Sequence, residues 1–156
     1  MRVDELMIRH VYTCSPDDSL EQAARQMWDH DCGCVPVVDS ENRVIGMITD
    51  RDIAMSAYLQ GKVLAQIPVE AVMAKCVHSC RASESIESAQ ERMRNYQLRR
   101  LPVTDSLGFL IGMISINDLV LEAARSQATR RPQLRVVDVA ETLARVSVHR
   151  DERLTA

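Results

Sequence analysis

The chain has 156 residues, a formal net charge of −3, 3% aromatic residues and five cysteines. Mixed charge of this size gives no basic field for wrapping nucleic acid, and so few aromatic rings leave few platforms for stacked bases, so nucleic acid is not the expected partner. The opening stretch, MRVDELMIRH, carries charges at positions two, four and five and no apolar run. It reads as neither signal peptide nor membrane span, and a cytoplasmic location is expected.

The chain is written twice. Val3–Ile53 lies over Val69–Leu119 at a gapless offset of 66, and 17 of those 51 pairs are identical, among them Val3/Val69, Met27/Met93, Pro36/Pro102, Gly46/Gly112 and Asp52/Asp118. Two copies of one small unit are expected to pack on each other, because ~50 to 60 residues bury too little surface to be secure alone. In chain order, Val3–Met7 reads as a helical turn and Val11–Thr13 as a short strand closed by Ser15-Pro16-Asp17-Asp18. Leu20, Ala23, Ala24, Met27 and Trp28 form an amphipathic stripe facing a core, with Asp17 or Asp18 as its cap. Cys34–Val38 and Val44–Thr49 read as a hairpin across Asp39-Ser40-Glu41-Asn42, followed by a helix from Asp50 to Gln60 that Gly61 stops.

The second copy repeats this α-β-α-β-β-α plan. Pro68 stands near the start of its leading helix, Val77–Cys80 is its strand, and Ile86, Ala89 and Met93 mark its first long helix. Leu101–Asp105 and Phe109–Ser115 form its hairpin, before a helix from Ile116 to Ala128. Beyond Arg130-Arg131-Pro132, Asp138-Val139-Ala140-Glu141 resembles a capping box opening a small helix with Val139, Leu143 and Val146, and His149–Ala156 reads as a frayed end. The expected division is residues 1–62, 63–128 and a C-terminal helical extension over 129–156, giving a mixed α/β (α+β) fold with approximate twofold symmetry between the repeats.

The best-preserved stretch is Gly46-Met47-Ile48-Thr49-Asp50-Arg51-Asp52 against Gly112-Met113-Ile114-Ser115-Ile116-Asn117-Asp118. Glycine permits close approach to the strand, the hydroxyl sits at a helix start whose free N–H groups favour an anion, and a carboxylate one turn later can accept two bonds from a ribose diol. The same residues also make a plain helix cap worth about 1 kcal/mol.

With a Val-Pro-Val strand and acidic turn in the first copy, and Leu-Pro-Val with Asp105 in the second, this pattern resembles the cystathionine β-synthase (CBS) domain family, whose paired units form a Bateman module. The resemblance covers Val3 to about Ser126. It implies a cleft between paired units that binds an adenosine compound such as AMP, ADP, ATP, S-adenosylmethionine or an NAD-type ligand. Asp52 and Asp118 would hold ribose hydroxyls, Thr49 and Ser115 would contact ribose or phosphate, and Val35-Pro36 and Leu101-Pro102 would line the base. Arg99 and Arg100 would bind phosphate, with Arg51 and Asn117 as further donors; Gly33-Cys34 stands where the second copy has the two arginines, so the clefts are expected to differ.

No Ser-His-Asp arrangement and no Gly-x-x-x-x-Gly-Lys loop points to catalysis, and the resemblance further implies a homodimer, a free-standing sensor that acts through a regulated protein partner or by changing its own assembly, with no required cofactor. Two other readings stay open. One is an interaction module with empty clefts. The other is a redox or metal sensor built on the cysteines, for which His30, Cys32, Cys34 and Cys76, His78, Cys80 have a spacing that would share one face of an extended strand, though neither has the paired spacing of a structural zinc site.

Overall fold

The computed structural model describes residues 1–127 and 133–148. Its elements run α1 (Leu20–Asp29), β1 (Cys34–Val38), β2 (Val44–Thr49), α2 (Asp50–Gln60), β3 (Cys80–Arg81), α3 (Ile86–Tyr96), β4 (Arg100–Thr104), β5 (Leu110–Ser115), α4 (Ile116–Ser126) and α5 (Val136–Ser147). β1 pairs with β2, and β3, β4 and β5 form a second sheet in that order. The mixed fold read from the sequence, with its C-terminal helix, is the fold observed. No described helix is long and apolar enough to cross a membrane.

The chain divides into two compact units. The first comprises His10–Val77 with Thr104–Ile111, and the second Met1–Arg9, His78–Val103 and the chain from Gly112 on. Each unit thus takes its leading 3-10 turn from the other copy of the repeat. In the first unit Val69 and Glu70 donate backbone N–H bonds to the carbonyls of Asp18 and Pro16 at 2.8 and 3.0 Å, and Leu20 donates to Ile67 at 2.9 Å. In the second, Val3 and Asp4 donate to Glu84 and Ala82 at 2.9 and 3.0 Å, and Ile86 donates to Met1 at 3.1 Å. Every one of these residues matches its counterpart at the 66-residue offset.

The two cores match as well. Leu20, Ala23, Met27, Val35, Val37, Ile48, Ile53 and Val69 pack together in the first unit. Their counterparts Ile86, Ala89, Met93, Leu101, Val103, Ile114, Leu119 and Val3 are all buried in the second. A fully buried Leu20 or Ile86 contributes about 1.5 to 3 kcal/mol of transfer free energy.

Some expectations change. Ser19, and not Asp17 or Asp18, caps α1: its side chain accepts from Gln22 N–H, and the Gln22 side chain accepts from Ser19 N–H at 2.8 Å. Asp18 is committed one turn earlier, taking Ser15 N–H at 2.7 Å. The strand expected at Val11–Thr13 shrinks to a bridge between Cys14 and Val37, and that expected at Val77–Cys80 to Cys80–Arg81. Only a 3-10 turn, Val3–Glu5, forms within Val3–Met7. Trp28, counted in the core stripe of α1, is 87% exposed.

α5 begins at Val136 with no side-chain cap. Asp138 takes both Arg135 Nε and Nη2, at 2.9 and 2.6 Å, instead of closing a capping box. The buried line is Val139, Thr142 and Val146, spaced i, i+3, i+7, while Leu143 is half-exposed. Buried Thr142 is satisfied by Gln90 Nε2 and Arg94 Nη1 and donates to Asp138 O. Residues 128–132 and 149–156, including the helix end expected at Ala128 and the frayed end, lie outside the described residues.

Cys14 and Cys80 occupy equivalent buried positions, each thiol aimed at the carbonyl of Pro36 or Pro102. Burial, reinforced by Asp18 and Glu84 respectively, pushes each thiol up to about 12 from 9.0. The folded state therefore binds more protons than the unfolded chain from about pH 9 to about pH 12, and stability falls as pH rises through that window. We expect Cys14→Ala with Cys80→Ala to lower stability near neutrality but flatten its alkaline decline. Denaturant midpoints between roughly pH 8 and pH 11 measure this, and parallel slopes for variant and parent would remove the thiols as the cause.

Gly46 and Gly112 sit where the leading segments cross the hairpins. A Cβ on Gly46 would lie 2.5 Å from Met73 Sδ and 3.3 Å from Ala74 O, whereas on Gly112 it would lie 2.7 Å from Met7 Sδ and 2.9 Å from Ile8 O. A thioether end can swing away, but a bridged backbone carbonyl cannot. Both alanine variants are expected to lose stability by about 1 to 3 kcal/mol, Gly112→Ala the more. Urea melts of the two single variants decide the order.

Candidate functional site

The stretch repeated in both copies closes each hairpin and opens the following helix. Thr49, the last residue of β2, is the N-cap of α2, and Ser115, the last residue of β5, is the N-cap of α4. Extended backbone at the cap, then helix, leaves the first-turn N–H groups without intrahelical acceptors, and most are satisfied elsewhere in the chain: those of Asp50, Arg51 and Asp52 in α2 and those of Ile116 and Asp118 in α4. Asp52 Oδ2 accepts from Thr49 N at 2.9 Å and Thr49 Oγ1 at 2.7 Å, and Asp52 N–H donates back to Thr49 Oγ1 at 3.1 Å. Asp118 Oδ2 accepts from Ser115 N at 2.8 Å and Ser115 Oγ at 2.6 Å, and its N–H returns to that hydroxyl at 3.3 Å. Both carboxylates are half-buried and serve as helix caps through one oxygen, Oδ2. A capping box and a ligand acceptor are compatible in such a group, since a carboxylate has about four lone-pair sites.

The close approach foreseen for the motif glycine has an occupant within the chain. The leading segments fill it, Met47 bridging to Ala74 and Met113 to Ile8. Met73 and Met7, identical residues at the 66-residue offset, therefore lie against the back of each hairpin.

A second backbone tie is also common to both copies. Asp50 N–H donates to Gly33 O at 3.2 Å, and Ile116 N–H donates to Arg99 O at 2.9 Å. It brings the residue preceding the proline-centred strand to the helix start, so the Arg99-Arg100 backbone is anchored beside Ser115 and Asp118. Arg99 is exposed and Arg100 half-buried; neither forms a salt bridge among the described residues. Arg51 and Asn117 are exposed in the first turns of their helices, and Arg51 N–H is taken by Asp50 Oδ1 at 2.7 Å. Val35 and Leu101 are buried as whole residues, at 1% and 0% exposure, so neither side chain nor backbone at these positions is open to solvent. Pro36 and Pro102 are buried too, with Pro36 O accepting Cys14 N–H.

The alternating His and Cys groups do not share a strand face. His30 is the C-cap of α1, Asp31 turns the chain at φ 48°, and Cys34 begins β1. Of Cys76, His78 and Cys80, only Cys80 is in a strand. Among the described residues no three His, Cys, Asp or Glu side chains are grouped to hold a metal ion. The upward shift of Cys14 and Cys80 leaves those thiols poor nucleophiles.

The histidines instead stack on tyrosines, a feature the sequence reading missed. Tyr12 lies on His30 with centroids 3.3 Å apart and planes 3° apart, and His78 lies on Tyr96 at 3.6 Å and 19°. Position 12 corresponds to 78 and position 30 to 96, so the same stack occurs in both copies with its two residues exchanged. Each stack ties the segment before the first bridge to the end of the first long helix.

The comparison with known proteins agrees with this geometry. The CBS domain model matches residues 3–57 and 69–125. The CBS domain-containing protein YhcV of Bacillus subtilis is 35% identical over 126 residues, which is 81% of this chain and 88% of that protein. The CBS-domain protein ATU1752 of Agrobacterium tumefaciens superposes with a TM-score of 0.70 at 34% identity, covering 80% of this chain and 99% of that one. The structure of CBSX2 in complex with AMP superposes at 0.71 with 23% identity, covering 81% of this chain and 98% of that one. The chain described here belongs to the CBS domain family and carries two tandem copies of the domain.

Proposed function

We propose that the protein is a regulatory module without catalytic activity that binds an adenosine nucleotide at the helix starts of its two repeats, residues 1–62 and 63–128, with 129–156 as an extension. Asp52 and Asp118 hold the ribose hydroxyls and Thr49 and Ser115 the ribose or phosphate. The backbone and apolar atoms around Val35-Pro36 and Leu101-Pro102 line the base. Arg99 and Arg100 bind phosphate, and Arg51 and Asn117 add donors. The protein works as a homodimer whose ligand state is read by a partner protein.

One observation carries this reading: both copies tie the residue before the proline-centred strand to the first helical N–H and set a hydroxyl and a half-buried carboxylate at that same helix start. The positive end of the helix dipole favours an anion there, while the first N–H of each helix is tied within the chain. In the second copy two arginines without salt bridges among the described residues stand at this point, and a charge-assisted fork suits phosphate. The CBS pair solved with AMP makes adenine nucleotides the first class to test.

Asp118→Ala is expected to weaken nucleotide binding by about 1.5 to 3 kcal/mol and to lower stability by about 1 kcal/mol through loss of the cap. Asp52→Ala is the matched variant in the first copy. Calorimetric titration with AMP, ADP, ATP and S-adenosylmethionine reads the first effect and denaturant melts the second. Full ligand affinity in both single variants and in the double variant would reduce the carboxylates to helix caps alone.

Replacing Arg99 and Arg100 together by Ala should weaken AMP much more than adenosine. The gap should narrow at high salt, since exposed phosphate contacts are screened over ~8 to 10 Å at physiological ionic strength. Calorimetry with both ligands at two salt concentrations measures it. Unchanged AMP affinity would assign the arginines to a solvated surface.

A further inference from the structure

The connection from α3 to β4 is held at three successive residues. Gln97 Nε2 donates to the carbonyls of Arg145 and Val148 at the end of α5, at 3.3 and 3.2 Å. Leu98 N–H donates to Met93 O at 2.9 Å, and Arg99 O accepts Ile116 N–H at 2.9 Å. The Gln97 amide is the last of the donors that α3 sends into α5, after Gln90 and Arg94, and the three follow one helix face at i, i+4 and i+7. Two residues span at most ~7 Å of chain, so the anchor of α5 and the arginines assigned to phosphate belong to one short segment.

The backbone at Gln97 is left-handed, at φ 53°, a region that favours glycine. Glycine would serve the turn as well; what it lacks is the amide. The first copy is an internal comparison. Its turn is the same, with Asp31 at φ 48° and Cys32 N–H on Met27 O at 3.0 Å, but a carboxylate only accepts and cannot hold helix carbonyls, and Gly33-Cys34 follow in place of the arginines. The donor to α5 and the cationic pair thus occur in the same copy and are missing together from the other.

We propose that Gln97 is a positioning residue that couples phosphate binding at Arg99 and Arg100 to docking of α5, so that a nucleotide fastens the C-terminal helix and the docked helix strengthens the nucleotide site. The inference rests on the phosphate-binding part of the reading above and adds its regulation. A phosphate held by both arginines restrains the segment in the geometry that places the Gln97 amide on α5, and a docked α5 restrains the same segment for the phosphate. By linkage each raises the affinity of the other by one factor. α5 lies outside the two matched CBS domains, and its docking is the form in which nucleotide state reaches a partner protein.

The test separates side chain from backbone. Gln97→Gly keeps the left-handed turn and removes the amide, and Gln97→Met keeps a side chain of similar length without a donor. In calorimetry AMP should bind each variant at least ~5-fold more weakly than the parent, while adenosine, which has no phosphate, stays within about twofold. Hydrogen exchange over α5 should slow when AMP is added to the parent. It should not slow with adenosine, nor with AMP in Gln97→Gly or in the Arg99→Ala, Arg100→Ala double variant. A helix anchor without a tie to the site would lower the basal protection of α5 in Gln97→Gly and leave AMP affinity at the parental value. That result, or AMP binding to the parent with no slowing over α5, overturns the coupling and leaves nucleotide binding standing. A parent that binds neither AMP nor adenosine overturns the nucleotide reading and the coupling together.

Discussion

The exchange of leading turns is the constraint on which the rest of the structure depends. Val3 and Val69 are completely buried, yet each is buried in the unit that holds the other copy's hairpin and helices. Beyond each turn the chain continues as one bridged backbone strip, Ile8 against Met113 and Ala74 against Met47. That strip runs so close to the hairpin that its central position tolerates no Cβ. The unchanged glycine, the repeated methionines and the fixed offset thus share one cause. Neither unit is complete without a piece of chain from the other end of the repeat.

Positioning of the helix starts follows from the same packing. The hairpin is pinned from behind by the strip, its last residue becomes the helix cap, and the first helical N–H is tied to Gly33 or Arg99. Thr49, Asp52, Ser115 and Asp118 are consequently held by backbone ties on both sides of the cap. Such restraint is what a binding group needs, since a preorganised acceptor spends little entropy when a ligand arrives. It is also what a helix cap needs, which is why the residue pattern alone does not separate the two roles.

Much of this architecture was legible from the sequence because both copies obey the same packing rules. Short β-branched runs on either side of a turn gave the first hairpin and, by the repeat, the second, helical spacing gave α1 and α3, and Gly61, at φ 58°, marked the end of α2. The exchange was not legible, for a simple reason: a tandem repeat reveals its period and hides its phase. A unit starting at Val3 and a unit starting at His10 give the same 66-residue identity pattern, and only tertiary contacts choose between them. Local competition explains other differences. Asp18 turned to Ser15 N–H and left capping to Ser19, while Asp138 was captured by Arg135. Trp28 fell on the helical stripe by spacing but lies at its edge, where the twin helix has Arg94.

Differences between the copies carry as much physical content as identities. Tyr12/His78 and His30/Tyr96 count as two mismatches when positions are scored singly, yet the stacked pair survives the exchange, so the constraint belongs to the pair of rings and to neither residue. The helix surfaces diverged in the opposite way. Gln90 and Arg94 are polar anchors for α5, whereas Ala24 has no polar side-chain atom and Trp28 only its indole N–H. A hydrogen-bonded cover tolerates polar residues beneath it because each is satisfied, as Thr142 is. An apolar face with a projecting ring is stable in water only at a cost in exposed surface, and that cost is relieved by apolar contact. The tandem repeat therefore keeps one core and one helix-start geometry in both copies while its outer helix surfaces take on different chemistry.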